Sequence, residues 1–302
     1  MKFIKPAALM LVTSTLFMPL KAMCAQISVE PLSGVKGAGM TAAAAAGIKG
    51  FTGGWGKGSG SSAGIRAREF EFTAYMGQYD GGDWNSTIST VGGSFDPDKI
   101  NNGSLPNLLA YISDRSKGKI KTNHKNVKAI NLSSSGIFSL KPPFIFLTGS
   151  KDFVLTEPEV ENLRKYVSLG GAIWGDSAKN SLFEIAFRRE MKRVLPDRDK
   201  DWEELPINHP IFSSTAYFSE VKVVPPGLGF LKEPVYCLKI YGEIAVICTA
   251  NDYGNMWQLD PNQKSINNAQ QPAVETTYKF GVNLIIHLLT RWESKVKSAI
   301  SL

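Results

Sequence analysis

Apolar and polar positions change their period twice in the segment from residue 143 to residue 177. Phe144–Leu147 is a short apolar run, typical of a buried strand. Thr156–Glu159 precedes apolar positions at helical spacing and predicts a capping box at a helix start. Gly170-Gly171 predicts the end of that helix, and Ala172–Trp174 predicts a second buried strand.

These elements together form a βαβ unit, which requires a parallel sheet. Ligands of such sheets bind beyond the carboxyl ends of the strands, here Thr148–Asp152 and Gly175–Ser177. A strand that begins at Phe70 and ends at Gly77 leads into the loop Gln78–Trp84, which we expect at the same edge. The sequence therefore predicts where a binding site lies, but it does not identify the reaction or the ligand of that site.

Further elements follow from local signals. Ser104 is predicted to cap a helix that ends near Lys117, and Ser181 and Glu184 form a second predicted capping box for a helix to Val194. The remaining predicted elements are a strand at Val127–Ile130, a hairpin of Val235–Tyr241 and Ile244–Thr249, and a last helix at Thr276–Trp292.

The hairpin determines how the cysteines are interpreted. A type II′ turn at Gly242-Glu243 would place Cys237 directly opposite Cys248. An oxidising compartment would allow a disulfide between them, but the pair would occupy a hydrogen-bonded position with widely spaced α-carbons. Two small buried thiols are the alternative, and the sequence favours them.

The amino terminus has the layout of a secretory signal peptide. Lys2 and Lys5 precede an apolar stretch from Ala7 to Leu20, and small residues follow up to a predicted cleavage site near Ala25. The alternative is an uncleaved anchor. We expect residues 1–25 to be removed, the protein to be periplasmic or secreted, and no integral membrane segment to remain.

The next segment, residues 26–64, is predicted to be flexible. From Gly34 to Gly64 it has 11 glycines in 31 residues and no acidic residue, so few side chains offer burial that would offset ordering. Residues 65–302 are predicted to form a single α/β domain.

The charge excludes one class of partner. The chain has a net charge of +7, but from Ile65 onward 28 lysines and arginines are balanced by 26 acidic residues. The predicted domain therefore lacks the basic stripe that duplex binding requires, and we expect no nucleic acid partner.

Several blocks of the chain resemble the bacterial family of domain of unknown function 4159, over about Phe70 to Arg291. In order, the blocks are FTAYMGQYDGGDWN, PNLLAYI, FIFLTGSKDFVLTEPEVENLRKYVSLGGAIWGDS, FRREMKRVLPDRDKDWEELPINHPIF, IYGEIAVICTANDYG and KFGVNLIIHLLT. The resemblance implies a fold similar to class I glutamine amidotransferases, that is, a flavodoxin-like, mostly parallel sheet with helices on both faces. It carries no established activity.

The resemblance and the strand ends together define the candidate binding edge, which comprises Asp83, Trp84, Thr148, Gly149, Ser150, Asp152, Asp176, Arg188, Arg189, Asn251 and Asp252. The chain departs from the family pattern in two places. It has Ser150-Lys151 where the family typically has His-Gly, and it has Gly175-Asp176 where paired acids are common.

The catalytic candidates are Ser177, Asp176, Asp152 and His209. An amidotransferase needs a cysteine on a strand-to-helix elbow, and both mature cysteines lie on the predicted hairpin instead. Ser177 follows a strand as a nucleophile would, but no suitably spaced base accompanies it, and a loop or helix-entry role is the favoured alternative. His287 lies in an apolar helix and is expected in the core or at an interface.

Other chemistries have weaker signals. The histidines show no metal-ligand spacing, so we expect no metal or other cofactor. Arg188 and Arg189 belong either to a solvated helix face or to an ion pair with a loop acid such as Asp83 or Asp152. Our interpretation is an exported, non-catalytic domain that binds a small molecule or an envelope protein. The alternative is a hydrolase, an esterase or glycan-directed enzyme, that uses Ser177 or paired carboxylates.

Overall fold

The computed structural model describes residues 48–49, 70–89, 95–118, 120–196, 202–212, 221–259 and 266–300. These residues belong to one compact unit, Gly39–Leu302. The predicted signal peptide lies outside the described residues. So does the predicted flexible segment, apart from Ile48 and Lys49, which form a short strand.

The strands, in chain order, are β1 Ile48–Lys49, β2 Phe70–Phe72, β3 Tyr75–Gln78, β4 Ile120–Thr122, β5 Lys128–Asn131, β6 Phe144–Gly149, β7 Ala172–Ser177, β8 Glu203–Glu204, β9 Tyr236–Ile240 and β10 Glu243–Thr249. The helices are α1 Ser104–Arg115, α2 Gly136–Leu140, α3 Glu157–Ser168, α4 Leu182–Val194, α5 Tyr253–Met256 and α6 Gln271–Ile300.

Most strands join one seven-stranded sheet with the order β5-β3-β6-β7-β10-β9-β8. From β5 to β10 all neighbours are parallel, whereas β9 and β8 are antiparallel additions. β1, β2 and β4 form a separate three-stranded sheet. The predicted mixed α/β architecture with a mostly parallel sheet is confirmed.

The βαβ unit of β6, α3 and β7 forms as its sequence predicts. The capping box is present, because the Glu159 carboxylate accepts hydrogen bonds from both the Thr156 amide and the Thr156 hydroxyl. Gly170 ends the helix with a φ of 101°, a left-handed conformation that glycine adopts without steric cost.

Helices cover both faces of the sheet. On one face, the Trp174 ring packs against Phe146 and Trp257, with α1, α5 and α6 beside them. On the other face, Gly175 leaves room for the ring of Phe187 on α4, and α3 packs against α4. The core therefore has two apolar layers, and the strand ends emerge between them.

Three local predictions are corrected. The predicted first strand is split between two sheets, as β2 and β3. Ser104 does not cap α1: it is the first helical residue, Gly103 is the N-cap with a φ of 119°, and the Ser104 hydroxyl bonds the Thr87 hydroxyl. The Ser181 side chain makes no cap bond, because the Asn180 carboxamide accepts from the Leu182 amide instead.

The hairpin turn is also shifted by one residue from the prediction. Ile240 pairs with Glu243, so the turn is Tyr241-Gly242, and their φ values of 52° and 80° indicate type I′. A bulge between Ile244 and Val246 then changes the register.

The shifted register separates the two cysteines. Cys237 pairs with Ile247, and Cys248 pairs with Tyr236. Since adjacent residues of a strand point to opposite faces, the two thiols lie on opposite faces of the sheet. Both are free and buried, in accordance with the favoured alternative of the sequence analysis.

In the part of the chain that the structure describes, no helix combines the length and apolar character needed to cross a membrane.

The opposed orientation of the two thiols leads to a direct test. In a Cys24→Ser variant of the full chain, purified without reductant, we expect Cys237 and Cys248 to be unreactive while folded and to titrate as two thiols per chain after unfolding. Ellman titration in the presence and absence of denaturant measures this. Thiols that appear only after reduction would contradict the register.

Candidate functional site

A polar rung crosses the carboxyl edge of the parallel sheet. Thr148 of β6 is the register partner of Asp176 in β7, and Asp176 is the partner of Thr249 in β10. All three side chains are fully buried. Since register partners point to one face, the three side chains lie together on the face that Trp174 covers. The sequence had marked Thr148 and Asp176, but not Thr249.

Asp176 occupies the centre of this rung. Its Oδ1 lies 2.6 Å from the Thr249 hydroxyl, and its Oδ2 accepts from the Gly254 amide at 2.6 Å. The Thr249 hydroxyl also accepts from the Trp174 indole and lies 3.3 Å from the Gly175 carbonyl. The Thr249 hydroxyl donates to Asp176 while it accepts from the Trp174 indole, so it links the two strands on this face.

Burial is the main cause that raises the pKa of Asp176, to about 8, although the Thr249 hydrogen bond lowers it. The nearby Asp252 carboxylate raises it further. Burial likewise raises the pKa of Asp252 to about 6. Asp176 is therefore mainly a neutral carboxylic acid at neutral pH, and its bonds join β7, β10 and the start of α5.

Asn251 and Asp252 hold loops rather than face a cleft. The Asn251 carboxamide accepts from the Glu233 amide and donates to the Glu233 carbonyl. The Asp252 carboxylate accepts from the Lys179 amide and from the Asn255 carboxamide. Both are buried, so their polar atoms hold the loop ahead of β9 and the loops that follow β7 and β10.

Aromatic side chains close the opposite face of the edge. Tyr79 packs against Phe153, with ring centroids 4.4 Å apart, and its hydroxyl donates to the Thr148 carbonyl. A Cβ at Gly149 would lie 2.3 Å from the Tyr79 hydroxyl and 2.9 Å from the Phe183 ring, so only glycine fits there. Gly149 is among the site residues that the sequence predicts, whereas Tyr79, which covers it, is not.

Asp83 fastens two loops together at this edge. Its carboxylate accepts from the Ser150 amide at 2.8 Å, the Ser150 hydroxyl at 2.5 Å and the Lys151 amide at 3.2 Å. These bonds lower the pKa of Asp83 despite partial burial, which acts to raise it. Trp84 beside it is buried and packs against Phe95, so it fills the loop.

An ion-pair network joins α4 to the loop after β6. The Arg189 guanidinium lies 3.0 Å from the Asp152 carboxylate and also donates to the Phe153 carbonyl. The buried Glu190 carboxylate accepts from Arg189, Arg193 and the Leu155 amide. Glu190, which sequence analysis did not select, is the centre of this network.

Arg188 points elsewhere, as adjacent helical residues do. It pairs with Glu184 at 3.1 Å, and its guanidinium lies over the rings of Trp202 and Tyr236. Asp152 and Asp176 are therefore engaged in different bonds, one at an exposed ion pair and the other in the core.

The remaining catalytic candidates do not come together. Ser177 is 2% exposed, and its hydroxyl donates to the Asn180 carbonyl at 2.5 Å. His209 instead packs against His287, with ring centroids 5.4 Å apart. His287 lies one helical turn before Arg291, which donates to the Gly170 carbonyl ahead of β7. The two histidines are therefore near the amino edge of the sheet, remote from Ser177.

A small polar pocket of about 140 Å³ is open beside the candidate edge. It is lined by Gln78, Tyr79, Asp80, Asn131, Ser133, Thr156 and Glu159. Gln78 and Asn131 are register partners at the carboxyl ends of β3 and β5. None of the site residues predicted from the sequence lines it. Two features of the lining are recognisable in the sequence, namely the loop after β3 and the capping box of α3. Neither feature by itself indicates a pocket.

No group of histidine, cysteine and acidic side chains that could hold a metal ion occurs among the described residues.

The model of a family described as domain of unknown function, DUF4159, matches residues 80–289, more than half of the 302-residue chain. A search of curated proteins finds no match.

The buried Asp176 predicts a pH dependence of stability. Because its pKa is raised from 3.8 to about 8, the folded chain binds more protons than the unfolded chain in that interval. The stabilisation is complete below 3.8 and is lost as pH rises through about 8, by at most about 1.4 kcal/mol per pH unit. Asp176→Asn removes this titrating group. We therefore expect the free energy of unfolding of this variant to fall less steeply with pH than that of the wild type, at pH values above the pKa of Asp252, which is about 6.

Urea unfolding at several pH values between about 6 and 8 measures this effect on the free energy of unfolding. Asp98→Asn, an exposed carboxylate replaced in the same way, is the matched control and should keep the wild-type slope. Equal slopes in wild type and Asp176→Asn would contradict the raised pKa.

Proposed function

The chain belongs to the DUF4159 family, and we propose that it is a non-catalytic binding domain whose pocket at Gln78, Asn131 and Glu159 takes a small cationic group. The pocket is the observation that carries the proposal. At the neighbouring strand ends, the marked carboxylates and the Asn251 carboxamide are engaged in bonds within the protein, whereas the buried Thr148 hydroxyl has no partner among the described residues. The proposal includes export to the periplasm or the exterior, as the amino-terminal sequence favours.

The strand order supports a crevice at this position. The chain runs from β3 to β5 on one side and then to β6 on the other. α1, which follows β3, packs with α5 and α6, whereas α2 and α3, which follow β5 and β6, pack with each other on the other face. The loop after β3 leads to one face of the sheet, and the loops after β5 and β6 lead to the other face. Such a divergence leaves a crevice at the carboxyl ends of the strands, where ligands of such sheets bind. The same order, renumbered 2-1-3-4-5 for the parallel strands, supports a flavodoxin-like classification.

The lining determines the ligand's chemistry. Glu159 is buried, and its carboxylate accepts from the Asp80 amide at 2.8 Å and from Thr156. Asp80 adds an exposed carboxylate at the rim. The carboxamides of Gln78 and Asn131 are the main side-chain N–H donors in a lining that is otherwise rich in acceptors. A donor-rich cation therefore fits, and an anion is repelled.

The volume limits the ligand's size. About 140 Å³ accommodates roughly five water molecules, so a guanidinium or aminoalkyl group fits and a large cofactor does not. Such a group belongs equally to a free amine or to a basic side chain of a protein partner.

The geometry gives less support to a hydrolase. Ser177 donates to a backbone carbonyl within the loop, and His209 is at the other edge of the sheet. Asp152 and Asp176 are engaged separately, one with Arg189 and the other with Thr249 and Gly254. A binding role accounts for an edge whose carboxylates already have partners.

Agmatine, which carries a guanidinium and an amine but no carboxylate, is the probe for this pocket. We expect it to raise the melting temperature, with about 2.7 kcal/mol of stabilisation at one hundred times its Kd. Asp80→Asn should weaken binding by up to about fivefold, because Asp80 contributes an exposed charge pair. Calorimetric titration measures both effects.

Asp98→Asn removes another exposed carboxylate outside the pocket and should leave agmatine binding unchanged. Acetate should not bind. Stabilisation by acetate equal to that by agmatine, or unchanged agmatine binding in Asp80→Asn, would contradict a cation pocket.

A further inference from the structure

The loop after β6, the loop between β7 and the start of α4, and the loop ahead of β9 present exposed apolar side chains at one edge of the sheet. Val154 is 62% exposed, Leu182 50% and Phe230 67%. Lys151, Lys179 and Lys232 are exposed on the same three loops. We call these six residues the carboxyl rim. β6, β7 and β10 are consecutive in the sheet, at a spacing of about 4.8 Å, and the loop ahead of β9 is bonded to Asn251 at the end of β10, so the three loops are neighbours.

The loop that carries Phe230 is held rigidly. The Leu228 amide donates to the Asn251 carbonyl at 3.1 Å, and the Glu233 amide donates to the Asn251 carboxamide at 2.7 Å. The Tyr253 hydroxyl donates to the Pro225 carbonyl at 2.7 Å. Asn251 and Tyr253, both within a block that matches the family, therefore fix the loop to the end of β10.

Phe230 has an unfavourable backbone conformation as well as an exposed ring. Its φ is 63°, in the left-handed region that bulky residues rarely adopt. Lys179 on the neighbouring loop has a φ of 65°. Strained residues persist where the surroundings hold them, and they cluster at binding sites. Here the surroundings hold a large apolar ring in solvent, which folding alone does not favour.

The charges of the rim are unbalanced. The ammonium groups of Lys151 and Lys232 form no ion pair with any residue that the structure describes. The nearby acids Asp83 and Asp152 are already engaged, by Ser150 and by Arg189. Glu233 remains as an exposed acid beside Lys232. The six rim residues therefore combine three apolar side chains with three positive charges, beside the negative charges of Asp83 and Glu233.

We propose that the carboxyl rim docks on the surface of an anionic lipid bilayer. Phe230, Leu182 and Val154 would enter the headgroup region, where apolar side chains gain burial, and the three lysines would contact anionic headgroups. A neutral or cationic surface offers no such complement. The proposal is independent of the cation pocket, which is lined by residues of the β3 and β5 ends and of α3.

Position-specific fluorescence tests the proposal in the full chain. Val154→Cys, in a Cys24→Ser background, carries an environment-sensitive label such as NBD, while Cys237 and Cys248 remain buried. We expect a blue shift with vesicles that contain phosphatidylglycerol, and none with pure phosphatidylcholine. High salt should reverse the shift. The apolar stretch from Ala7 to Leu20 can itself bind vesicles, but a label at position 154 reports on the rim.

The matched control is Leu169→Cys with the same label, since Leu169 is 60% exposed but lies ahead of β7, at the opposite edge. It should not respond. In the Val154-labelled background, Lys232→Gln should weaken binding by about fivefold. Phe230→Ser should weaken it further, whereas Tyr241→Ser, an exposed aromatic at the hairpin turn, should have no effect.

Three outcomes would overturn the proposal. One is an equal response of the labels at positions 154 and 169, and another is an equal response to pure phosphatidylcholine. The third is a response to soluble polyglutamate without a response to vesicles, which would identify an acidic protein as the partner instead. Circular dichroism of each variant distinguishes loss of binding from loss of fold.

Discussion

The carboxyl edge of the sheet depends on one buried acid, Asp176. Its two oxygens bond the Thr249 hydroxyl and the Gly254 amide, which joins β7 to β10 and to the start of α5. A charged carboxylate at this depth would be costly, and burial accordingly favours the neutral acid. An apolar side chain in place of Asp176 would leave the Gly254 amide, at the start of α5, without an acceptor. The edge therefore depends on a polar group in the core.

Two further carboxylates, nearer the surface than Asp176, also hold loops by accepting hydrogen bonds. Asp83 holds the loop after β6 through backbone amides, and Glu190 gathers two arginines and the Leu155 amide. Each carboxylate fixes a loop at one end of the edge. Groups that would otherwise be available for chemistry are thereby engaged, and binding surfaces remain on either side: a polar pocket at β3 and β5, and an apolar, basic rim at β6, β7 and β10.

Sequence patterns predicted local structure well where one segment contains the whole signal. The capping box at Thr156 and Glu159, the left-handed Gly170 and the buried runs of β6 and β7 are examples. Local prediction was wrong where a nearby residue competes for the same role. Gly103 displaced Ser104 as a cap, and Asn180 displaced Ser181. The predicted hairpin is present, but its turn lies one residue earlier than predicted, and the bulge at Ala245 cannot be identified from the alternation of residues alone.

The sequence by itself determined the βαβ unit, the parallel sheet and the edge at which the marked residues lie, because period and turn residues are properties of short segments. The family match over residues 80–289 agrees with the resemblance that those blocks carry. Only the tertiary structure decided that Ser177 is buried, that His209 packs against His287 at the other edge, and that Glu159 lines a pocket. These facts depend on contacts between residues far apart in the chain, and a side chain's partner and exposure are fixed only when the elements pack together.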